Sequence, residues 1–229
     1  MQSDLEQFSE TASTEAFALQ NHKLLKVHLD QVTIQAKLGS MVAYQGEVTF
    51  DHAGAGGLGR LVKKVATGEG QSLMKISGRG EVFLADTAQD IHLLYLQDDR
   101  VTVNGRNVLA FEDGIDWDIE RVRSVSGMLG GGLFNTKLYG TGWVAVLTDG
   151  PPVRLDVAQA PTFADAQAAV AWSAGVTTTM KTDVKLKSLI GLGSGETFQM
   201  AFGGEGWVLV QPSEGRIMVT AKSGSSAAG

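Results

Sequence analysis

The chain has 229 residues, 43% of them hydrophobic and 19% charged, with a formal net charge of −6. That composition is globular and long enough to bury a core, as one large all-β domain or two smaller ones. With Cys 0, disulfides, zinc–thiolate sites and thiol nucleophiles are excluded, and the acidic balance disfavours a broad phosphate-binding surface.

Residues 1–20 are polar and acidic and read as an N-terminal arm, either a short helix or a loose segment. They lack the basic start and apolar centre of a secretory signal, and no apolar run reaches the length of a membrane span. A soluble cytoplasmic protein is therefore expected. Period-2 alternation begins with Leu25, Val27 and Leu29 against Lys26, His28 and Asp30, and continues through Val32, Ile34 and Ala36, the pattern of half-buried strands. Val42-Ala43-Tyr44 and Val48-Thr49-Phe50 read as strands split by Gly46. A glycine-rich stretch from Gly54 to Gly70 follows, and its middle, Leu58 to Ala66, suits a short amphipathic helix. Met74 and Ile76 then lead into Gly78-Arg79-Gly80.

Ile91 to Leu96 and Val101-Thr102-Val103 read as strands separated by a turn at Asp98-Asp99, and Asn104-Gly105 is a hairpin signal. Ile115, Trp117 and Ile119 alternate with Asp116, Asp118 and Glu120, a strand with a solvated acidic face. Gly127 to Leu133 forms a second glycine loop, after which Phe134, Thr136 and Leu138 lead into Gly140-Thr141-Gly142. Asp149-Gly150 before Pro151-Pro152 marks a turn. Ala158 to Ala171 favours helix by propensity, but Val170-Ala171-Trp172 falls where the rest of the chain places a strand. Gly191 to Gly195 is a third glycine loop, and Phe198, Met200 and Phe202 lead into Gly204-Glu205-Gly206. Ser223 to Gly229 reads as a disordered tail.

The recurrence of these landmarks outweighs any local signal. The second glycines of the three Gly-x-Gly segments are 142 − 80 = 62 and 206 − 142 = 64 residues apart. Val42-Ala43-Tyr44, Leu109-Ala110-Phe111 and Val170-Ala171-Trp172 precede them by 36, 31 and 34 residues (80 − 44, 142 − 111, 206 − 172). The expected organisation is one pseudo-three-fold β domain over residues 21–220, with units of about 21–88, 89–148 and 149–219 and a tail at 221–229. Glycines inside strands mark a bulge, a bend or the close passage of another backbone. Val82, Val144 and Val208, and then Leu84, Val146 and Val210, are assigned to the core.

Leu109-Ala110-Phe111-Glu112, Ile115, Trp117-Asp118-Ile119, the Gly130-Gly131-Gly132-Leu133 loop and Tyr139-Gly140-Thr141-Gly142-Trp143-Val144 resemble the altered inheritance of mitochondria protein 24 family over roughly residues 20–215. That family is classed as TRAP-like, after the tryptophan RNA-binding attenuation protein. The resemblance implies a β-sandwich of the double-stranded β-helix kind, duplicated within one chain. The family's bacterial members have no settled biochemical activity, so the resemblance bears on architecture more than on function.

Specific chemistry finds little purchase. The histidines His22, His28, His52 and His92 include no His-x-His pair, which a cupin-type metal site needs, and no metal or cofactor is expected. The Gly-x-Gly segments lack the third glycine and the following helix of a dinucleotide loop. Glu112, Asp113, Asp116, Asp118 and Glu120 lack calcium-loop spacing and are explained by the solvated face. Gly193-Ser194-Gly195 is not a nucleophile elbow, and no catalytic residue is assigned. Lys63-Lys64 and Lys185 with Lys187 are the tight basic groups, too few to favour nucleic acid.

Large apolar residues on the glycine loops remain unexplained by the fold. Leu58, Leu61, Met128, Leu129, Ile190 and Leu192 either plug the end of the domain or form a contact surface for a partner. The leading expectation is a non-enzymatic binding or scaffold protein, a homo-oligomer or one that meets a protein or membrane-surface partner through these loops. An RNA-binding regulator is the alternative by fold analogy, and a small-molecule or cupin-like enzyme comes third.

Overall fold

The computed structural model describes residues 3–52, 73–121, 134–181 and 199–213. Most of them belong to antiparallel strands and few are helical, so the fold class is all-β. In chain order the strands are β1 (Phe17–Asn21), β2 (Leu24–Asp30), β3 (Ile34–Lys37), β4 (Met41–His52) and β5 (Leu73–Leu84). Then come β6 (Asp90–Asn104), β7 (Val108–Glu112), β8 (Ile115–Arg121) and β9 (Phe134–Thr148). The last are β10 (Val153–Asp156), β11 (Thr162–Asp165), β12 (Ala169–Ser173), β13 (Val176–Lys181), β14 (Gln199–Gly204) and β15 (Trp207–Val210). Short 3-10 turns at Leu5–Phe8 and Gly105–Asn107 are the helical elements among the described residues.

A 12-stranded sheet runs in the order β1-β2-β5-β3-β7-β9-β6-β12-β15-β10, with β4 added to β5 and β8 to β9. A second, 3-stranded sheet has the order β11-β14-β13. Long strands hold the larger sheet together. β5 pairs with β4 from Met74 to Leu84, while its other edge takes β3 at Leu73–Ile76 and β2 at Arg79–Leu84. β9 pairs with β6 along one edge and with β8 and then β7 along the other. In the last third the corresponding strand divides. β14 ends at Gly204 in the small sheet and β15 begins at Trp207 in the large one, so the chain changes sheet at the Gly-x-Gly segment.

The landmark residues share one register. Tyr44 stands opposite Val82, Phe111 opposite Val144 and Trp172 opposite Val208. Further along the same hairpins, Phe50 faces Ile76, Trp117 faces Leu138 and Thr178 faces Phe202. An aromatic contact follows in each: Tyr44 with Phe50, Phe111 with Trp117, and Trp172 with Phe202, their ring centroids 5.2, 6.1 and 5.6 Å apart. In the last segment Thr178 replaces the second aromatic, and its cross-strand partner Phe202 supplies the ring.

Three clusters of buried side chains form the core. The first gathers Leu25, Val27, Leu29, Ile76, Val82 and Leu84 with Leu109 and Leu147. The second holds Phe111, Leu138, Val144 and Val146 with Val170. The third, around Trp172, Met200, Phe202 and Val208, sits between the small sheet and the end of the large one. Of the residues assigned to the core, Val82, Leu84, Val144, Val146 and Val208 are buried, and Val210 is half-buried against the third cluster.

Several local expectations change. Gly46 does not split a strand: β4 is continuous, and Gly46 carries φ +98 within it. Asp98-Asp99 is not a turn between strands but a bulge inside β6, where the register with β9 shifts between Leu96 and Asp99. Asn104-Gly105 does not close a hairpin. β6 and β7 both pair with β9 and not with each other, and the Asn104 side chain accepts the Arg106 backbone N–H in the short turn between them. The arm gives way to β1 at Phe17, inside the segment read as arm, because Phe17 is buried in the first cluster.

Candidate functional site

The glycine loops are the connections of three hairpins. β4 and β5 are described up to the pair His52 and Met74, β8 and β9 up to Arg121 and Phe134, and β13 and β14 up to Lys181 and Gln199. Leu58 and Leu61, Met128 and Leu129, and Ile190 and Leu192 fall in the segments 53–72, 122–133 and 182–198, outside the described residues. So do Lys63-Lys64, Lys185 and Lys187, the span read as an amphipathic helix and the tail. The stems beneath the loops are firmly seated. In the β4–β5 stem Met74 belongs to the first cluster and Leu73 to the second, in the β8–β9 stem Leu138 belongs to the second, and in the β13–β14 stem Met200 belongs to the third. Burial of each such side chain stabilises by about 1.5–3 kcal/mol, enough to fix where each loop leaves the body.

The second and third Gly-x-Gly segments are closed to a ligand by the chain itself. The backbone N–H of Trp143 donates to Glu112 Oε2 at 2.7 Å, and that of Trp207 donates to Ser173 Oγ at 3.0 Å. A Cβ on Gly142 would lie 2.6 Å from Glu112 Oε2, and one on Gly206 would lie 2.1 Å from Ser173 Oγ. The amide that a phosphate loop would present is thus already satisfied internally, and the glycine makes room for the acceptor.

The titratable groups gather in small charge networks: Glu81 joins His28 and Lys26, and Asp90 joins His22 and Lys23. His28 Nδ1 lies 2.6 Å from Glu81 Oε1, His22 is 3.8 Å from Asp90, and His92 Nε2 is 2.8 Å from Thr148 Oγ1. Burial holds the His92 imidazole below its ordinary value, partly offset by Asp90. Among the described residues no group of His, Cys, Asp and Glu is arranged to hold a metal ion. Asp116, Asp118 and Glu120 line the exposed side of β8 at every second position, with Lys137 3.2 Å from Glu120. Strand geometry spaces them about 7 Å apart, too far to converge on one ion. No helix among the described residues is long and apolar enough to cross a membrane.

Sequence reasoning missed two features. Lys26 is buried, and its Nζ is held by the Thr11 and Ser13 carbonyls and by Glu10 at 2.7 Å, which ties the N-terminal arm to the sheet. Alternation gives no hint of this, since Lys26 sits at a position that reads as polar and outward. The second feature is the outer edge of β4. Val42 and Tyr44 are 58% and 49% exposed, whereas Phe111 and Trp172 are 0% and 4%. The sequence signal is slight: tyrosine, whose hydroxyl tip favours water, stands where the other units have phenylalanine and tryptophan.

A family model described as mitochondrial biogenesis AIM24 matches residues 17–213. The chain belongs to the AIM24 family. The match begins at the first residue of β1 and spans every strand. Among solved structures, the protein SPYM3_0169 from Streptococcus pyogenes is similar in fold, with a TM-score of 0.70 and 23% sequence identity. The likeness covers 86% of this chain and 92% of that one, and at that identity it speaks for the fold alone. No curated protein matches the chain.

Proposed function

We propose that this AIM24-family chain is a non-enzymatic binding or scaffold protein. It acts through self-assembly, or through a protein or membrane-surface partner, with its glycine-rich apolar loops as the contact. The observation that supports this reading is the common register of the three hairpin stems, each of which ends in a connection carrying large apolar residues among glycines. A shared stem register would let such residues act together as one contact. Glycine lets such a contact reshape on binding, since it imposes little steric constraint.

The double substitution Leu129→Asp and Leu192→Asp tests it. The expected result is an unchanged melting temperature with loss of self-association or partner capture, read by light scattering and by co-purification from the native host. An unfolded variant would show instead that these residues plug the core, and RNA recovered with the native protein would replace the proposal by the nucleic-acid reading.

A further inference from the structure

We propose that the outer edge of β4 is the docking site for β11 of a second copy of this chain, with Tyr44 placed opposite Phe163. The inference deepens the self-assembly reading and rests on it, but it does not depend on the glycine loops.

The chain itself shows twice what covers this edge. β7 lies between β9 and β3, and β12 lies between β15 and β6. In both, the covering strand buries the landmark aromatic: Gln35 of β3 stands opposite Phe111, and Thr102 of β6 opposite Trp172. β4 carries the corresponding aromatic, Tyr44, yet among the described residues it pairs with β5 alone. Tyr44 is half-exposed in consequence. Residues 41–50 contain neither proline nor lysine, the usual protection of an edge strand, and a single charge at Glu47.

The covering strand can be identified by register. Gln35 and Thr102 face Lys75 and Lys137, each five residues before the second glycine of its Gly-x-Gly segment (80 − 75 = 142 − 137 = 5). The residue five before Gly206 is Ala201, and it faces Phe163 of β11 (206 − 201 = 5). β11 is thus the strand whose two counterparts cover β7 and β12. It stands at the end of the small sheet, and within the described chain it is not paired with β4. Transferring the observed register places Phe163 opposite Tyr44, Ala164 opposite Ala43 and Thr162 opposite Gln45. A contact between two different edges is heterologous, so it builds a ring when the rotation closes and a linear array when it does not.

The absence of native cysteine makes the test clean. Tyr44→Cys and Phe163→Cys are prepared as separate variants, mixed and oxidised. Directly opposed residues of an antiparallel pair hold their Cβ atoms about 4.5–5.5 Å apart, close enough to bridge with a small adjustment. The expected result is a covalent dimer in the mixture and none in either variant alone. Ala43→Cys mixed with Ala164→Cys, the next pair in register, repeats the test with smaller changes and guards against a variant that does not fold. Folded variants that fail to cross-link would overturn the proposal. So would a dimer from Tyr44→Cys alone, which would mean β4 against β4, or an internal bridge in the dilute double variant, which would mean closure within one chain. If Leu129→Asp with Leu192→Asp abolishes association while the cross-link still forms, the edge contact stands and the loop reading fails. If association survives without the cross-link, the reverse holds.

Discussion

At Gly80 a Cβ would lie 2.0 Å from the carbonyl oxygen of Gln45, on a backbone with φ +144. Neither the close passage nor the dihedral tolerates a side chain, so Gly80→Ala is expected to cost about 2–4 kcal/mol. Gly39 is the control: its φ is +84, but a Cβ placed there would meet nothing within 4 Å. Asparagine visits the left-handed region at small cost, so Gly39→Asn should cost less than about 1 kcal/mol. Urea midpoints of the two variants decide the matter, and similar losses would refute the crowding argument. His92 gives a pH-dependent expectation. Burial lowers its pKa in the folded chain from the ordinary 6.5, so below that pH the unfolded chain takes up the proton first. The stability this group contributes is present above 6.5 and is lost as the pH falls further. His92→Gln should flatten the decline in stability measured between about pH 7.5 and about pH 5. The glycine landmarks are legible in the sequence because a strand interior rarely holds two glycines without a steric reason. The neighbours that impose that reason, Gln45, Glu112 and Ser173, are not legible. Each lies far along the chain from its glycine (80 − 45 = 35, 142 − 112 = 30, 206 − 173 = 33) and is brought close only by the pairing.

Strands announced by alternation form where the pattern places them, as β2 and β8 show, because each turns its apolar face inward, although β2 buries Lys26 on the other face while β8 keeps its acids exposed. Gly46, Asp98-Asp99 and Asn104-Gly105 mislead for one common reason. A bulge, an in-strand glycine and a tight turn use the same residue types, and only the position of the neighbouring strand separates them. β6 stays continuous across its bulge because β9 pairs with it on both sides of the irregularity. The arm tests an element in the same way. Its residues Glu10, Thr11 and Ser13 supply most of the partners of the buried Lys26 ammonium, and Glu81 alone would remain at 3.7 Å. Removing residues 1–13 should therefore destabilise the wild-type chain more than a Lys26→Met chain. The expected difference is about 1–3 kcal/mol, since a buried charge without its partners is costly and a methionine is not. Equal losses in the two backgrounds would show that the arm acts through packing and not through the lysine.

For the whole molecule, the spacing of the landmarks implies three equivalent units, and the pairs Tyr44–Val82, Phe111–Val144 and Trp172–Val208 share one register. Coincidence of Tyr44, Phe111 and Trp172 when the units of an experimental structure are superposed would establish that equivalence, and scattered positions would refute it. What the spacing cannot convey is that the units are held unequally. β3 and β6 are each paired on both edges, so they lock their units into the 12-stranded sheet. Among the described residues their counterpart β11 is paired with β14 alone, and the small sheet β11-β14-β13 shares no hydrogen-bonded ladder with the larger one. It is retained by packing, through Met200 and Phe202 against Trp172 and Val208. Opening that sheet breaks one side-chain cluster and leaves the ladders of β5, β6 and β9 intact, so it costs less than global unfolding. Hydrogen exchange followed by mass spectrometry should find residues 176–181 and 199–204 exchanging well before residues 90–104 and 134–148. The two regions should converge only in denaturant strong enough to unfold the whole chain. Equal protection of both in water would mean that the third cluster opens only with the other two, and that packing alone fastens the small sheet as securely as a shared ladder would.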